Sequence, residues 1–238
     1  MDALKQLYLI PVDLGHSPEG GIYAPSQMVV IHGLKHFIAE NASTARKMLK
    51  KCGYPHPLPD AEIIEFNEHT RAFPETMMDG KKMLTENQLI GLMSEAGMPC
   101  VADPGHEVVR LAHDMGIQVI PMHGPSSIMQ ALVASGLQGQ QFVFHGYLPA
   151  KTEARKARLR ELQQRAQKDR YTHIFMEAPY RSNQMLQDIL QSFGENFSIC
   201  VAAEIGTPEE FICTKKTGQW KKSLPDLHKK RCIFCVSA

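Results

Sequence analysis

The 238-residue sequence lacks an apolar run of the length, about 20 residues, that a membrane-spanning helix requires. The apolar stretch over residues 7–12 lacks a preceding basic segment and a cleavage site of small residues, so no signal peptide is expected. The six cysteines are scattered and cannot form a dense disulfide framework. Reduced, buried thiols in a cytoplasmic protein are therefore expected.

Several catalytic and metal-binding motifs are also missing. The sequence has no phosphate-binding loop of the G-x-x-x-x-G-K-[ST] type, no G-x-G-x-x-G, no G-x-S-x-G and no H-E-x-x-H. The pair Cys232 and Cys235 falls on a predicted strand, where a three-residue offset turns the two thiols to opposite faces. No second pair follows, so no metal site is predicted.

The net charge is close to zero for the whole chain but not for its two halves. The net charge of +1 taken alone argues against a nucleic-acid partner. Residues 1–122, however, hold 10 Lys and Arg against 15 Asp and Glu, whereas residues 123–238 hold 16 against 10. This asymmetry indicates two structural units and an anionic partner for the second.

The first half alternates short apolar runs with segments of helical period. Strands are predicted over 7–12, 36–41, 62–67, 89–95 and 118–122, with helices among them, including 42–53 and 104–116. Such alternation is typical of βαβ units around a mostly parallel sheet. The fold class is therefore predicted as α/β, with an N-terminal domain over 1–122.

The second half adds a different pattern at its end. Segments 210–218 and 230–237 are predicted to be neighbouring antiparallel strands, after a run of alternating strands and helices. This favours an α+β domain with a mixed sheet over 123–238. The expected boundary thus also separates the acidic half of the chain from the basic half.

Three loops at predicted strand ends carry the strongest chemical signal. They are residues 94–97 (SEAG), 102–105 (ADPG) and 123–127 (HGPSS), and each contains a glycine beside small or polar residues. In open α/β sheets ligands bind outside the carboxyl ends of the strands, and small residues let a ligand approach the backbone. Taken singly, Asp103 and Ser126 have a structural reading as helix caps. Three such loops in succession favour a ligand site.

The motifs resemble those of the tetrapyrrole methylase superfamily. The segments that carry the resemblance are SEAGMPCVADPG (94–105), GPSS (124–127), FIAEN (37–41), FHGYLP (144–149) and FMEAPYR (175–181). Within this superfamily the sequence is most similar to the branch of 16S ribosomal RNA cytidine 2′-O-methyltransferases. The resemblance extends over most of the chain.

The resemblance implies a two-domain methyltransferase, a homodimer, that binds S-adenosylmethionine in the cleft between its domains without a metal. It places the cofactor against Ser94, Glu95, Ala96, Met98, Ser126, Ser127, Tyr147, Met176, Glu177, Ala178 and Ala203. On the substrate side it places Pro11, Gly15, His16 and Asn41. The loops 11–16 and 39–43 depart from the family pattern more than the cofactor loops do.

Two basic segments of the second half are candidates for RNA binding. Residues 151–170 hold 8 basic and 3 acidic side chains, with Leu159, Leu162 and Ala166 as a narrow apolar stripe. Residues 215–231 hold 7 basic and 1 acidic side chain, and include Trp220. Either segment would attract an RNA backbone, or would simply be a solvated face. Trp220 would stack a base or cover the core.

The catalytic base is left open. Glu177 is a candidate by position, but pairing with Arg181 four residues later is an equally good interpretation. The leading hypothesis is methylation of a ribose 2′-hydroxyl of ribosomal RNA, with the small ribosomal subunit as partner. The alternatives are methylation of a tetrapyrrole or another small acceptor, and an inactive homologue that binds the cofactor or RNA.

Overall fold

A computed structural model describes residues 4–15 and 21–238, which form two compact units, Met1–Ser126 and Ser127–Ala238. The sequence placed the domain boundary slightly earlier, at residue 123. His16, assigned to the substrate side by the resemblance, lies outside the described residues. None of the described helices is long and apolar enough to cross a membrane.

The first unit is a five-stranded parallel sheet with helices on both faces. Its strands are β1 (Gln6–Ile10), β2 (His36–Ala39), β3 (Glu62–Glu65), β4 (Leu89–Met93) and β5 (Gln118–Pro121), in the order β3-β2-β4-β1-β5. Its helices are α1 (Pro25–Gly33), α2 (Ala42–Lys51), α3 (Pro74–Glu86) and α4 (Gly105–Asp114). The predicted α/β class with a parallel sheet is confirmed.

Alternation along the strands divides the core of this unit into two layers. Phe37 packs with residues of α1 and α2, whereas its neighbour Ile38 packs with residues of α3 and α4. Met93 and Leu92 divide between the two layers in the same way. Because both faces of the sheet are covered by helices, the polar side chains that can reach a ligand lie in the loops that follow the carboxyl ends of the strands.

The second unit is a mixed five-stranded sheet. Its strands are β6 (Phe142–Tyr147), β7 (Thr172–Glu177), β8 (Ser198–Ala203), β9 (Phe211–Lys216) and β10 (Cys232–Ser237), in the order β6-β7-β10-β8-β9. Its helices are α5 (Ser127–Ser135), α6 (Thr152–Asp169), α7 (Ser182–Ser192) and the single turn α8 (Thr217–Trp220). Strand β10 is antiparallel to both its neighbours, so β6, β7 and β8 all run in one direction.

The prediction that segments 210–218 and 230–237 are neighbouring strands is wrong, because β8 lies between β9 and β10. Every residue of β10 is buried, and such an apolar strand gains most at the centre of a sheet. Strand β9 carries Lys215 and Lys216 and takes the edge, where charged side chains stay in water.

Helix α6 packs through the predicted stripe. Leu159, Leu162 and Ala166 are fully buried in the core of the second unit. Trp220 is also buried, and its indole N–H donates to the Ile199 carbonyl at 2.9 Å. Of the two interpretations of Trp220, the core role is therefore confirmed and base stacking is wrong.

The two cysteines of β10 face opposite sides of the sheet, as predicted. Cys232 packs in the same core as Phe234 and Val236, whereas Cys235 faces the other side, directly opposite Cys200 on β8. All six cysteines are free thiols. The described residues contain no group of three or more His, Cys, Asp and Glu side chains arranged to hold a metal ion.

A pair of histidines links β6 to β7. The rings of His145 and His173 stack with centroids 5.1 Å apart, and Nε2 of His145 lies 2.9 Å from Nδ1 of His173. On its other side His145 approaches Arg158 at 3.4 Å. Burial, together with the charges of His173 and Arg158, lowers the pKa of His145 from 6.5 to about 4.

We expect this pair to make stability depend on pH. Between pH 6.5 and about 4 the unfolded chain protonates His145 while the folded chain does not, so the free energy of unfolding falls as pH falls. In H145Q this fall should be smaller over the same window, as measured by urea denaturation at a series of pH values. The variant H69Q, at an exposed histidine, is the control. Equal pH dependence in wild type and H145Q would contradict the prediction.

Candidate functional site

The loop after β4 is closed on itself and tied to the loop after β1. The buried Ser94 hydroxyl donates to the Gly97 carbonyl at 3.2 Å. Gly97 exchanges two backbone hydrogen bonds with Val12, each of 2.9 Å. Gly97 has a φ of 75°, which a residue with a side chain rarely adopts. The loops that follow β1 and β4 therefore form one rigid surface.

The loop after β5 lies against the same surface. A Cβ added to Gly124 would lie 2.2 Å from Cβ of Pro11, so only glycine fits there. Pro11 is fixed in turn because its carbonyl accepts a hydrogen bond of 2.6 Å from the buried Tyr23 hydroxyl. The carboxyl ends of three neighbouring strands, β4, β1 and β5, thus lie together at one end of the first sheet, which we call the first edge.

The residues assigned to the cofactor at the first edge differ in exposure. Glu95 and Ala96 are exposed, Met98 is half-buried and Ser94 is buried. Ser126 is half-buried at the end of this unit, and Ser127 begins α5. Gly15 is exposed with a φ of 116°, and its amide donates to Asp13 at 2.8 Å.

A neighbouring carboxylate, which the sequence did not single out, supports the loop after β4. Glu40 follows β2, and its Oε2 accepts the backbone N–H of Glu95 at 2.9 Å. Burial raises the pKa of Glu40, although this hydrogen bond opposes the effect. Its place inside the quoted motif FIAEN, two residues before the start of α2, was the available signal.

Two other motif residues hold the backbone. Asn41 accepts the N–H of Thr44 at 2.9 Å and so caps α2. Asp103 accepts the N–H groups of Cys100, at 2.8 Å, and Gly105, at 2.7 Å, just before α4. Asp103 therefore has a structural role in the turn before α4, although the N-cap position of that helix is occupied by Pro104. Cys100 and Ala102 have φ values of 72° and 63°, so this turn is held in an unfavourable conformation.

The second unit has a corresponding edge. Strands β6, β7 and β8 are parallel to one another, so their carboxyl ends, at Tyr147, Glu177 and Ala203, lie at one end of the sheet. Cys232, at the start of β10, pairs with both Glu177 and Ala203. Tyr147 is exposed, whereas Met176 and Ala178 are half-buried. We call this end of the sheet the second edge.

Glu177 is an ion-paired residue with one spare oxygen. Its Oε1 accepts hydrogen bonds from the Ala178 N–H at 2.7 Å and from Nε of Arg181 at 2.9 Å. The hydrogen bond between Glu177 and Arg181 raises the pKa of Arg181. The predicted Glu177–Arg181 pair is confirmed. Oε2 is buried and has no hydrogen-bond partner among the described residues, which is rare for a buried carboxylate.

One family model, Tetrapyrrole (Corrin/Porphyrin) Methylases, matches residues 34–220, which is more than half of the chain. The chain belongs to this family. The prediction of a methyltransferase is confirmed.

Individual relatives of this methylase carry a more specific name. "Ribosomal RNA small subunit methyltransferase I" of Vibrio cholerae serotype O1 is 40% identical over 206 residues, covering 87% of this chain and 67% of the relative. The protein of the same name from Escherichia coli O157:H7 is 28% identical over 234 residues, covering 97% and 77%.

Solved structures match the fold of the methylase. The methyltransferase CobJ aligns with a TM-score of 0.64 at 14% identity, covering 99% of this chain and 94% of CobJ. Uroporphyrin-III-C-methyltransferase from Thermus thermophilus aligns with a TM-score of 0.53 at 15% identity, covering 98% and 92%. The predicted two-domain methylase architecture, α/β followed by α+β, is confirmed.

Proposed function

We propose that this methylase transfers the methyl group of S-adenosylmethionine to a ribose 2′-hydroxyl of ribosomal RNA in the small subunit. The observation that carries the proposal is the 40% identity, over 87% of the chain, to a protein named ribosomal RNA small subunit methyltransferase I. The excess of basic residues in the second unit supports an RNA acceptor, because lysine and arginine attract phosphates.

Each edge, taken by itself, carries groups that suit the recognition of part of the methyl donor. At the first edge the close approach of Gly124 to Pro11 and the turn at Gly97 leave backbone groups beside Ser94, Glu95, Ala96 and Met98. Backbone N–H and C=O groups that are not covered by side chains can recognise an adenine or amino-acid moiety. At the second edge the free Oε2 of Glu177 is an acceptor for a hydroxyl or amino group of the donor. Contacts from Ser126, Ser127, Tyr147, Met176, Ala178 and Ala203 belong to the same proposal.

The chemistry requires alignment more than activation. When bound, S-adenosylmethionine supplies a methyl group already activated by its sulfonium centre, so the residues of this chain must mainly bind and orient the reactants. The charge of Glu177 is compensated by Arg181, and this makes Glu177 a positioning residue rather than a base. The acceptor-side contacts of Pro11, Gly15, His16 and Asn41 stay predictions.

Two measurements test the proposal. Isothermal titration calorimetry should detect binding of S-adenosylmethionine, and small ribosomal subunits from a strain that lacks this protein should accept a methyl group on a ribose. Donor binding without methylation of any RNA would point to an inactive homologue. A spectral change with a uroporphyrinogen-type substrate, in the absence of RNA methylation, would instead indicate a tetrapyrrole acceptor. Absence of donor binding would contradict all of these enzymatic readings.

We expect Glu177 to affect donor binding more than Arg181 does. E177Q removes the carboxylate that offers Oε2, whereas R181Q breaks the same ion pair but keeps this acceptor. A hydrogen bond to a charged group contributes about 1.5–3 kcal/mol, so E177Q should weaken donor binding about tenfold or more. R181Q is the matched control with the smaller expected effect. Equal dissociation constants for E177Q and wild type would overturn the assignment.

Assembly and location complete the proposal. A homodimer, implied by the resemblance, is tested by light scattering coupled to size-exclusion chromatography. A cytoplasmic location agrees with a ribosomal substrate and with six cysteines that are all free thiols.

A further inference from the structure

A cavity of about 430 Å³ lies within the second unit, beyond the ends of β8 and β10. Its walls are two loops, with lining residues Glu204, Thr207, Pro208, Glu209, His228, Lys229 and Lys230. The volume is within the range of sites that bind small molecules or single nucleotides. The lining is mainly polar and charged, so an apolar ligand would not be stabilised there.

This cavity adjoins the second edge. Glu204 directly follows Ala203, the last residue of β8, and its N–H donates to the Arg231 carbonyl at 3.0 Å. Arg231 in turn directly precedes Cys232, the first residue of β10. The residues that follow β8 and precede β10 therefore connect the second edge to the cavity. A ligand in the cavity would lie close to Ala203, one of the predicted donor contacts.

Hydrogen bonds hold both walls in place. The Glu204 carboxylate accepts the N–H of Arg231 at 2.6 Å and its guanidinium at 2.6 Å. The Thr207 hydroxyl donates to the Glu204 carbonyl at 2.8 Å. Although burial opposes it, Arg231 holds the pKa of Glu204 below its ordinary value. The cavity is thus preformed, and binding does not have to order its walls.

The two acidic and two basic side chains of the lining balance, but Arg231 beside Glu204 adds one positive charge, and this excess favours an anion. Lys229 and Lys230 form no ion pair within the described part of the chain, whereas the charge of Glu204 is compensated by Arg231. Glu209 is a lining carboxylate that likewise forms no ion pair among the described residues. The surrounding segment 215–231 carries 7 basic side chains against 1 acidic. The methyl donor has a positively charged sulfonium and no phosphate, so these lysines suit the acceptor and not the donor.

We propose that this cavity binds a phosphate of the single-stranded RNA acceptor, with Lys229 and Lys230 as its cations. The inference rests on the proposed function and names the part of the surface that holds the substrate. RNA that is methylated on a ribose must be presented with its backbone accessible, and single-stranded segments satisfy this condition. Of the two basic segments, the one over 215–231 therefore takes this role, while α6 supplies a solvated face.

The first test compares two pairs of substitutions that remove equal charge. K229Q/K230Q acts in the cavity, whereas R160Q/K168Q acts on exposed cations of α6 that form no ion pair within the described residues. Binding of a short single-stranded RNA is measured by fluorescence anisotropy over a range of salt concentrations. K229Q/K230Q should weaken binding about tenfold and, because one phosphate contact is lost, reduce the slope of log affinity against log salt by about 0.7. R160Q/K168Q should change both quantities much less.

The second test looks for a gain, which a folding defect cannot imitate. E209Q removes a negative charge beside the two lysines and should tighten RNA binding several-fold, without changing the affinity for S-adenosylmethionine. If K229Q/K230Q binds RNA as wild type does, or if E209Q weakens binding, the cavity is not the phosphate site. Either result would exclude the cavity but not the proposed function, provided that the wild-type protein binds the donor and methylates RNA. Loss of donor binding in wild type would instead remove the proposed function.

Discussion

The variant G124A is expected to lose about 99% of the methyltransferase kcat/KM. The new Cβ would lie 2.2 Å from Cβ and 2.4 Å from Cγ of Pro11, whereas unbonded carbon atoms approach to about 3.5–4.0 Å. The loops after β1 and β5 must therefore separate by more than 1 Å. A misplacement of about 1 Å in binding groups can cost about 100-fold in rate.

Methyl transfer to small ribosomal subunits and calorimetry with S-adenosylmethionine measure this effect. The control is G80A, because Gly80 lies in α3 of the same unit and a Cβ there meets no atom within 4 Å. Since alanine is the better helix former, G80A should retain both donor binding and stability. Wild-type donor affinity in G124A would show that the first edge does not bind the donor.

The variant D188N is expected to destabilise the second unit by about 3–5 kcal/mol. Asp188 on α7 is fully buried and pairs with Arg155 of α6, with contacts of 2.8 Å from Nε and 2.7 Å from Nη2. Arg155 is itself 2% exposed and also donates to the Ala150 carbonyl at 2.8 Å. Neutralising Asp188 leaves the buried guanidinium of Arg155 without a counter-charge. Removing one partner of a buried ion pair destabilises a protein more than replacing both partners does.

Urea denaturation gives the free energy of unfolding for this comparison. The double variant R155M/D188L removes both charges together and should recover most of the loss in D188N, because no unpaired charge remains. A D188N variant within 1 kcal/mol of wild type would contradict the interpretation. So would a double variant that is less stable than D188N.

The positions of most strands and helices were predictable because their hydrophobic periods are clear. The stripe of Leu159, Leu162 and Ala166, for example, indicated which face of α6 is buried. The order of strands in the second sheet was not predictable from local pattern. Strands β9 and β10 are close in sequence, but the place between β7 and β8 is decided by burial across the whole sheet. That burial favours β10, which is mostly apolar and buried at every residue.

Polar residues inside the core were the hardest to foresee. Arg155 belongs to a strongly basic helix and looks like a surface residue, yet it is buried because Asp188 and the Ala150 carbonyl meet its donors. Asp188 lies 33 residues from Arg155, so this ion pair leaves no local signal in the sequence. Glu177 and Arg181, in contrast, are four residues apart, and this spacing is itself a local signal that predicts their pairing.

The sequence motifs predicted the loops of the first edge better than the residues around the second edge. Short motifs rich in glycine, proline and serine marked the loops after β4 and β5, and the structure joins them through Gly97, Val12, Pro11 and Gly124. The cavity beyond β8 and β10 escaped prediction because β9 and α8 separate its two walls in sequence, and the contact between Glu204 and Arg231 that joins the walls leaves no local signal.

The central place of β10 also sets an order for folding during synthesis. The five strands of the first unit end at residue 121, so that sheet can close while the rest of the chain is still being made. The second sheet cannot close at that stage. Strands β7 and β8 pair with each other only through β10, so they stay apart until residues 232–237 have left the ribosome. Until then two apolar strands have unpaired edges, and this interval is when the nascent chain is most exposed to aggregation.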